Sequence, residues 1–138
     1  MNLFLEKLSP ETWNLMSPDA HKISFNIERE NAMNKISYAL LVTNDNAPCC
    51  YATVIELDKD AAYMQHGGAF PSVEKSIYTS KGYFMCINWL KEHYKSISTR
   101  VFNGNIPMIK LHLAGNFLIN GLDANDGDIY LNFNWKKC

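Results

Sequence analysis

Arg100–Phe117 reads RVFNGNIPMIKLHLAGNF, and this stretch decides the fold. Arg100–Phe102 closes a run of β-type residues, and Asn103–Asn105 then supplies turn residues and a side chain suited to capping a helix. The apolar residues that follow recur too irregularly for a strand, and Pro107 fits a first helical turn, whose amides have no intrahelical partner. Gly115 is predicted to end the helix. A strand, a polar corner, a helix of about two turns and another strand therefore follow one another.

The polar corner lies at the carboxyl end of the strand that precedes it. Open α/β sheets bind their ligands at such strand ends. We therefore expect a ligand site near Asn105.

Three segments upstream have the composition of strands: Ile36–Val42, Cys50–Leu57 and Ala61–His66. Short turn clusters, Thr43–Asn46 and Asp58–Asp60, separate them. Since a parallel return needs a long crossover, the short turns predict an antiparallel meander.

A crossover helix and a final hairpin complete the predicted sheet. Ser80–Tyr94 places apolar residues at three- and four-residue spacing, so we assign its aromatic residues, including Tyr83, to the core. The helix makes the next strand, Ile97–Phe102, parallel to the third strand of the meander. Asn116–Leu122 and Asp128–Trp135 then form the hairpin.

The N-terminal part predicts one strand and two short helices. Residues 2–8 have the strand pattern, and Ser9 begins a helix that continues to Met16. Ser17 repeats the start signal for a second helix to Phe25, and Asn26–Asn34 reads as a loop.

Length and composition fit one domain covering residues 1–138, because 47% hydrophobic content can build a sizeable core. A formal charge of −1 disfavours nucleic-acid binding, which depends on excess positive charge. The apolar runs are far shorter than the roughly 20 residues that cross a bilayer, and the N-terminus lacks a signal pattern. We expect a cytoplasmic protein that binds no membrane.

Cysteines and acidic residues do not form a recognisable metal or disulfide pattern. Cys49, Cys50, Cys86 and Cys138 lack Cys-x-x-Cys spacing and are interpreted as reduced packing thiols. The acidic loop Asp123–Gly127 suggests calcium, but its glycine and missing Glu do not fit the binding-loop pattern. No metal site is expected.

Around the helix that decides the fold, the chain resembles the GNAT superfamily of acyl-CoA-dependent N-acyltransferases. The late segment of that family reads Asn, two residues, Ala, three residues, Tyr, three residues, Gly-Phe. Here Asn105, Met108, His112 and Asn116–Phe117 occupy the matching places, with the glycine displaced to Gly115. The run Gln65–Pro71 also looks like small GNAT-like proteins of tailed bacteriophages.

The resemblance implies an α/β fold with a mixed sheet of about six or seven strands, and an acetyl group transferred from acetyl-CoA to a small-molecule or peptide amine. It implies that Asn105 contacts the pantetheine part of the donor. His112 replaces the family's tyrosine, which protonates the departing thiolate, and is our candidate acid. A homodimer is left open.

Two further residues are candidate bases. His66 ends the third meander strand, and its imidazole can take a proton from an attacking ammonium. Gly67 and Gly68 follow it and are our candidates for cofactor binding, since glycines there let the backbone bulge or approach a ligand. Glu56 is the second candidate base, although its neighbours suggest the solvent side of an alternating strand.

The family's glycine-rich phosphate loop is absent from this sequence. Lys75 and Ser76 lie at the corresponding place before the crossover helix and are our candidates for holding the pyrophosphate. Because this loop and the family's tyrosine are both missing, the alternative is a GNAT-fold binding or regulatory module that has lost its cofactor.

Overall fold

The computed structural model describes residues 2–16, 36–70 and 77–138. Within them the chain forms seven strands and three helices. In chain order these are β1 (Leu3–Leu8), α1 (Pro10–Met16), β2 (Tyr38–Asn44), β3 (Ala47–Asp58), β4 (Ala61–Ala69), α2 (Ile77–His93), β5 (Ser96–Phe102), α3 (Ile106–Ala114), β6 (Leu118–Asn125) and β7 (Asp128–Lys136).

All seven strands form one mixed sheet in the order β1-β2-β3-β4-β5-β7-β6. Every neighbouring pair is antiparallel except β4 and β5, which α2 connects in parallel. The predicted α/β class, the meander, the crossover and the hairpin are therefore confirmed. Two tight turns have positive φ at both central residues, which matches the strand twist: Asp45–Asn46 and Asp126–Gly127.

One strand boundary differs from the prediction in a way that matters for the site. β4 does not end at His66 but continues to Ala69. Gly67 and Gly68 remain in the ladder, opposite Ala52 and Tyr51 of β3. The glycine pair was interpreted as a strand end, but these residues are retained in the sheet because β3 supplies their backbone partners.

One face of the sheet, here called the helix face, packs against α2 and α3. Its buried side chains include Leu40, Ala52, Met64 and Ile97, together with Cys86 of α2. α2 approaches closely at Gly82, where a Cβ atom would lie only 2.5 Å from Cys50 Sγ. The contact fixes the helix against β2 and β3.

The opposite face, here called the front face, is covered by α1 over β2 and β3. Ser9 Oγ accepts a hydrogen bond from Thr12 N at 3.2 Å, which confirms the predicted start of α1. Trp13 of α1 is fully buried and its ring centroid lies 4.8 Å from that of Tyr51. α1 therefore packs against this part of the front face.

Helix α3 begins and ends as predicted, with Asn105 as its N-cap and Gly115 as its C-cap. Asn105 Oδ1 accepts a hydrogen bond from Met108 N at 3.4 Å. At the other end Gly115 has an ordinary φ of −82°, whereas Asn116 has φ 68°. Asn116 N and Phe117 N donate to the carbonyls of Leu113 and His112, which is the Schellman arrangement. Asn116, and not Gly115, makes the left-handed turn, so β6 starts at Leu118.

Some predictions lie outside the described residues. They are the second N-terminal helix and its loop, Ser17–Phe25 and Asn26–Asn34, and the loop containing Lys75 and Ser76. In the described part of the chain, no helix combines the length and apolar character that a membrane span requires.

Candidate active site

Strands β4 and β5 separate partway along their length. Their parallel ladder contains four pairs and ends at Met64–Thr99. At this point Thr99 Oγ1 donates a hydrogen bond to the Met64 carbonyl at 3.0 Å. Beyond it, β4 from Gln65 onward is paired with β3 along one edge only, so its other edge faces a gap in the sheet.

A bulge in β4 shapes one wall of the gap. Thr53 pairs with His66 and Val54 with Met64, so Gln65 is the extra residue. Buried Thr53 holds the bulge: its Oγ1 accepts from His66 N at 3.1 Å and donates to Gln65 Oε1 at 3.2 Å. The bulge therefore directs polar groups into the gap.

The gap is a cavity of about 570 Å³. Its lining combines residues of β4, β5, α2, α3 and β7: Tyr63, Gln65, His66, Gly67, Tyr83, Thr99, Arg100, Val101, Phe102, Asn105, Met108, His112 and Tyr130. Successive residues of a strand point to opposite faces, so Thr99 and Val101 of β5 lie on the helix face while Arg100 and Phe102 lie on the front face. The cavity consequently reaches both sides of the sheet.

On the helix face, Tyr83 of α2 meets His112 of α3. Their side chains are joined by a buried contact of 3.3 Å between Tyr83 Oη and His112 Nε2. Gly67 makes room for the phenol ring, since a Cβ atom there would lie 2.4 Å from Tyr83 Cε1. The glycine of β4 thus allows a hydroxyl from α2 to reach the cavity.

His112 is enclosed and electrically neutral. Its exposed fraction is 1%, and the rings of Phe117 and Phe133 lie against it. Its Nδ1 is 2.8 Å from the Met108 carbonyl, which can only accept, so Nδ1 carries the hydrogen and Nε2 accepts from Tyr83. Burial lowers the pKa of His112, partly offset by this carbonyl. At neutral pH the imidazole is therefore a hydrogen-bond acceptor toward Tyr83.

His66 is also neutral. Burial lowers its pKa from 6.5 to about 4. Its backbone is fixed by Thr53 beside the bulge. An unprotonated imidazole therefore faces the cavity over the whole physiological pH range.

The front-face wall carries a cation and several aromatic rings. Arg100 Cζ lies 4.3 Å from the centroid of the Tyr130 ring, and Phe102 meets Tyr130 edge-on at 5.8 Å. Arg100 Nη1 is 3.9 Å from Asp123 Oδ2. Burial raises the pKa of Tyr63, while the positive charge of Arg100 acts in the opposite direction. This side offers both stacking surfaces and a positive charge.

Four of the predicted site residues meet at the cavity: His112, His66, Asn105 and Gly67. Gly68 pairs with Tyr51 and is not a lining residue. Glu56 is exposed, pairs with Ala62 at the other end of β4, and does not line the cavity.

Sequence reasoning missed other lining residues. Tyr83 was assigned to the core because its spacing fits a buried helix face, and it is 3% exposed; only its hydroxyl distinguishes it. Arg100 belongs to the alternating polar side of β5, a signal that also fits a solvent-facing residue. Tyr63 and Gln65 line the cavity beside the bulge of β4, and Tyr130 lines it because β7 pairs with β5.

Among the residues that the structure describes, no group of His, Cys, Asp and Glu side chains could hold a metal ion. Asp123, in the acidic loop considered for calcium, accepts from Asn132 Nδ2 at 3.2 Å. Cys49, Cys50 and Cys86 are buried free thiols, and Cys138 is an exposed one.

The fold matches solved acetyltransferase structures over nearly the whole chain. IAA acetyltransferase from Bacillus cereus aligns with a TM-score of 0.78 and 8% identity, over 98% of this chain and 99% of that chain. A GNAT-family acetyltransferase from Streptococcus pneumoniae aligns at 0.72 and 12%, over 99% and 100%. Arabidopsis thaliana NAA60 in complex with acetyl-CoA aligns at 0.71 and 11%, over 98% and 99%.

The chain therefore has the fold of the GNAT acetyltransferases. No family model matches the sequence, and no curated protein matches it. At identities of 8 to 12% the similarity is one of backbone arrangement.

Proposed function

We propose that this protein is an N-acetyltransferase that uses acetyl-CoA as donor and an amine as acceptor. The observation that carries the proposal is the cavity at the separation of β4 and β5, which reaches both faces of the sheet. A two-substrate acyl transfer needs such an arrangement, because donor and acceptor must meet from different directions. The neighbouring folds with the same arrangement of elements support it.

The helix-face half of the cavity suits the donor. Acetyl-CoA would supply an activated acetyl group, whose bond to sulfur breaks as the amine nitrogen bonds to the carbonyl carbon. The β4 edge beyond Met64 offers backbone groups that β5 does not pair, and these can hold an amide-rich arm as an added strand would be held. Asn105 lies at the same opening, where its side chain caps α3. We assign it to the donor side.

His66 is our proposed base. An acceptor ammonium must lose a proton before its nitrogen can attack, and the neutral imidazole provides the lone pair at cavity depth. Since its pKa is about 4, His66 does not keep the proton but passes it to water. The low pKa keeps the imidazole unprotonated at neutral pH and also makes it a weak base, so the transfer depends on water as the final proton acceptor.

Tyr83 is our proposed acid, in place of His112. The neutral His112 has no hydrogen on Nε2 to give, whereas Tyr83 holds a hydroxyl beside it. Burial raises the pKa of Tyr83, so the proton is present at neutral pH. The same surroundings raise the proton affinity of a thiolate formed there. The hydroxyl hydrogen would turn from Nε2 to the leaving sulfur, and the second proton, which the nitrogen loses as it becomes an amide, would return to the tyrosine oxygen through water.

Isothermal titration with acetyl-CoA and with CoA tests the donor half of the proposal. We expect saturable heat in the micromolar range for both ligands. Absence of heat with either ligand at high micromolar concentration would contradict the proposal and favour the binding-module alternative.

A screen of amines and peptides tests the acceptor half. Release of free CoA thiol is followed with acetyl-CoA and each acceptor, and acetylated product is verified by mass. Thiol release without an acetylated amine would indicate hydrolysis and would contradict an N-acetyltransferase.

A further inference from the structure

We infer that the acceptor amine carries a carboxylate, and that Arg100 binds it. The inference rests on the proposed function, since it concerns the acceptor half of the same cavity. The described residues that line the cavity include three basic side chains, those of Arg100, His66 and His112. Burial keeps the two histidines neutral, so of these three only Arg100 carries a full positive charge. A guanidinium in a cavity with aromatic walls favours a ligand that carries an anionic group.

Tyr130 and Asp123 orient the guanidinium group of Arg100 without accepting hydrogen bonds from its N–H groups. Tyr130 stacks against it at 4.3 Å from the ring centroid, which covers a flat side and leaves the N–H edge available. Asp123 Oδ2 is 3.9 Å away, beyond hydrogen-bonding distance, and accepts instead from Asn132 at 3.2 Å. Arg100 can therefore form a bidentate pair with an incoming carboxylate.

The position of Arg100 relative to His66 fits a small bifunctional ligand. Arg100 follows Thr99, the last paired residue of β5, and His66 lies two residues beyond its partner Met64. With strand spacing near 4.8 Å and a rise of about 3.3 Å per residue, the two Cα atoms lie within roughly 10 Å. A ligand with an amine near His66 and a carboxylate a few bonds away spans this distance. Both a free amino acid and an acidic peptide have this chemistry.

The test compares acceptors in matched pairs that differ only in carboxylate against carboxamide. The free pairs are L-alanine with L-alaninamide and β-alanine with β-alaninamide. The peptide pair is a C-terminally amidated tetrapeptide with aspartate or asparagine at its second position. Values of kcat/KM with acetyl-CoA are expressed per concentration of unprotonated amine, so that differing amine pKa values do not bias the ratio.

We expect at least one carboxylate to exceed its carboxamide partner by tenfold or more, as a charge-assisted pair provides about that factor. Whether the free or the peptide pair shows the preference identifies the source of the carboxylate. In R100Q the ratio should fall below about threefold. The control K95Q removes the same charge just before β5, outside the cavity, and should keep the wild-type ratio. D123N, which removes the nearby competing carboxylate, should raise the ratio.

A binding measurement separates this inference from the proposed function. N-acetyl-β-alanine and its carboxamide are titrated into wild type and R100Q, with CoA present. Preferential binding of the acid that R100Q abolishes, without any turnover, would support the carboxylate site and contradict acetyl transfer. Turnover with equal use of acids and amides would support acetyl transfer and overturn the carboxylate site. Neither binding nor turnover of any pair would overturn both.

Discussion

Tyr83 and His112 meet inside the sheet gap, and the direction of their hydrogen bond determines which of them can donate a proton. The Met108 carbonyl fixes the hydrogen of His112 on Nδ1. Tyr83 is thereby left as the hydrogen-bond donor of the pair. The sequence pattern favoured His112 as the general acid, whereas the protonation state of His112 favours its neighbour Tyr83.

The variant Y83F tests this assignment. It keeps the ring but removes the hydroxyl, so kcat should fall by about 10²-fold or more, as expected for loss of a general acid. Stability should fall by about 1 kcal/mol because Nε2 of His112 loses its partner. Both quantities come from steady-state kinetics and denaturant unfolding.

Y94F is the matched control for that variant. Tyr94 donates to or accepts from Tyr38 across 2.5 Å in the same core but away from the cavity. It should cost similar stability and leave kcat unchanged. If the two variants lose turnover equally, Tyr83 acts only through packing.

Asn105 is predicted to combine two roles, as cap of α3 and as donor contact. N105A should cost roughly 0.5–1 kcal/mol, toward the low end for a cap because the hydrogen bond to Met108 N is long, and should weaken CoA binding. N105D should keep the cap and still weaken CoA binding. Calorimetry and denaturant unfolding measure the two effects. Equal CoA affinity in N105D and wild type would show that the residue is only a cap.

At the scale of elements, the end of α3 offers a test that separates neighbouring residues. Gly115 has φ −82°, which alanine adopts readily, whereas Asn116 has φ 68°. G115A should be neutral or stabilising by up to about 1 kcal/mol, and N116A should destabilise by about 1–2 kcal/mol. N116G should stabilise slightly. Thermal and denaturant unfolding decide the order, and a large loss in G115A with none in N116A would contradict the assigned turn.

The bulge in β4 allows this strand to line the cavity. A regular strand would give every residue from Ala61 to Ala69 a partner in strict alternation. The extra residue Gln65, held by Thr53, shifts the following residues and turns polar groups toward the gap. The glycines after it then allow Tyr83 to approach.

For the whole molecule, the two neutral histidines couple stability to pH. The folded pKa of His66 is about 4 and that of His112 is also lowered, against 6.5 in the unfolded chain. These histidines do not lower the free energy of unfolding above pH 6.5. As the pH falls from 6.5 toward 4 they lower it, because the unfolded chain binds more protons than the folded one. For His66 this amounts to at most about 3 kcal/mol.

The H66Q variant measures that contribution. Free energies of unfolding of wild type and H66Q are compared from pH 7.5 to 4. The wild-type curve should fall more steeply below pH 6.5, while the titration of carboxyl groups cancels in the difference. Parallel curves would show that His66 is not neutralised by folding.

Much of the fold could be predicted because it depends on local patterns. The turns before β3 and β7, the cap at Asn105 and the periodicity of the crossover helix each express short-range preferences of backbone and side chain. The order of elements then left few arrangements of the sheet, since short turns require antiparallel neighbours and a helical crossover a parallel one.

The candidate site was predicted less completely, because its residues are brought together by contacts distant in sequence. Four predicted residues line the cavity, yet Tyr83, Gln65 and Arg100 were missed. No local signal distinguishes a core tyrosine from one whose hydroxyl reaches a cavity through a glycine of another strand. An alternating strand likewise does not reveal whether its polar face meets solvent or a gap.

The sequence alone determined the order of strands and helices, which matches the GNAT order, and the cap of α3. These features follow from periodicity, turn residues and caps within a few positions of the chain. Only the tertiary structure decided where β4 separates from β5, which residue of α3's end turns left-handed, and that His112 is neutral beside Tyr83. Those features depend on burial and on hydrogen bonds between separate elements, and both exist only after the chain has packed.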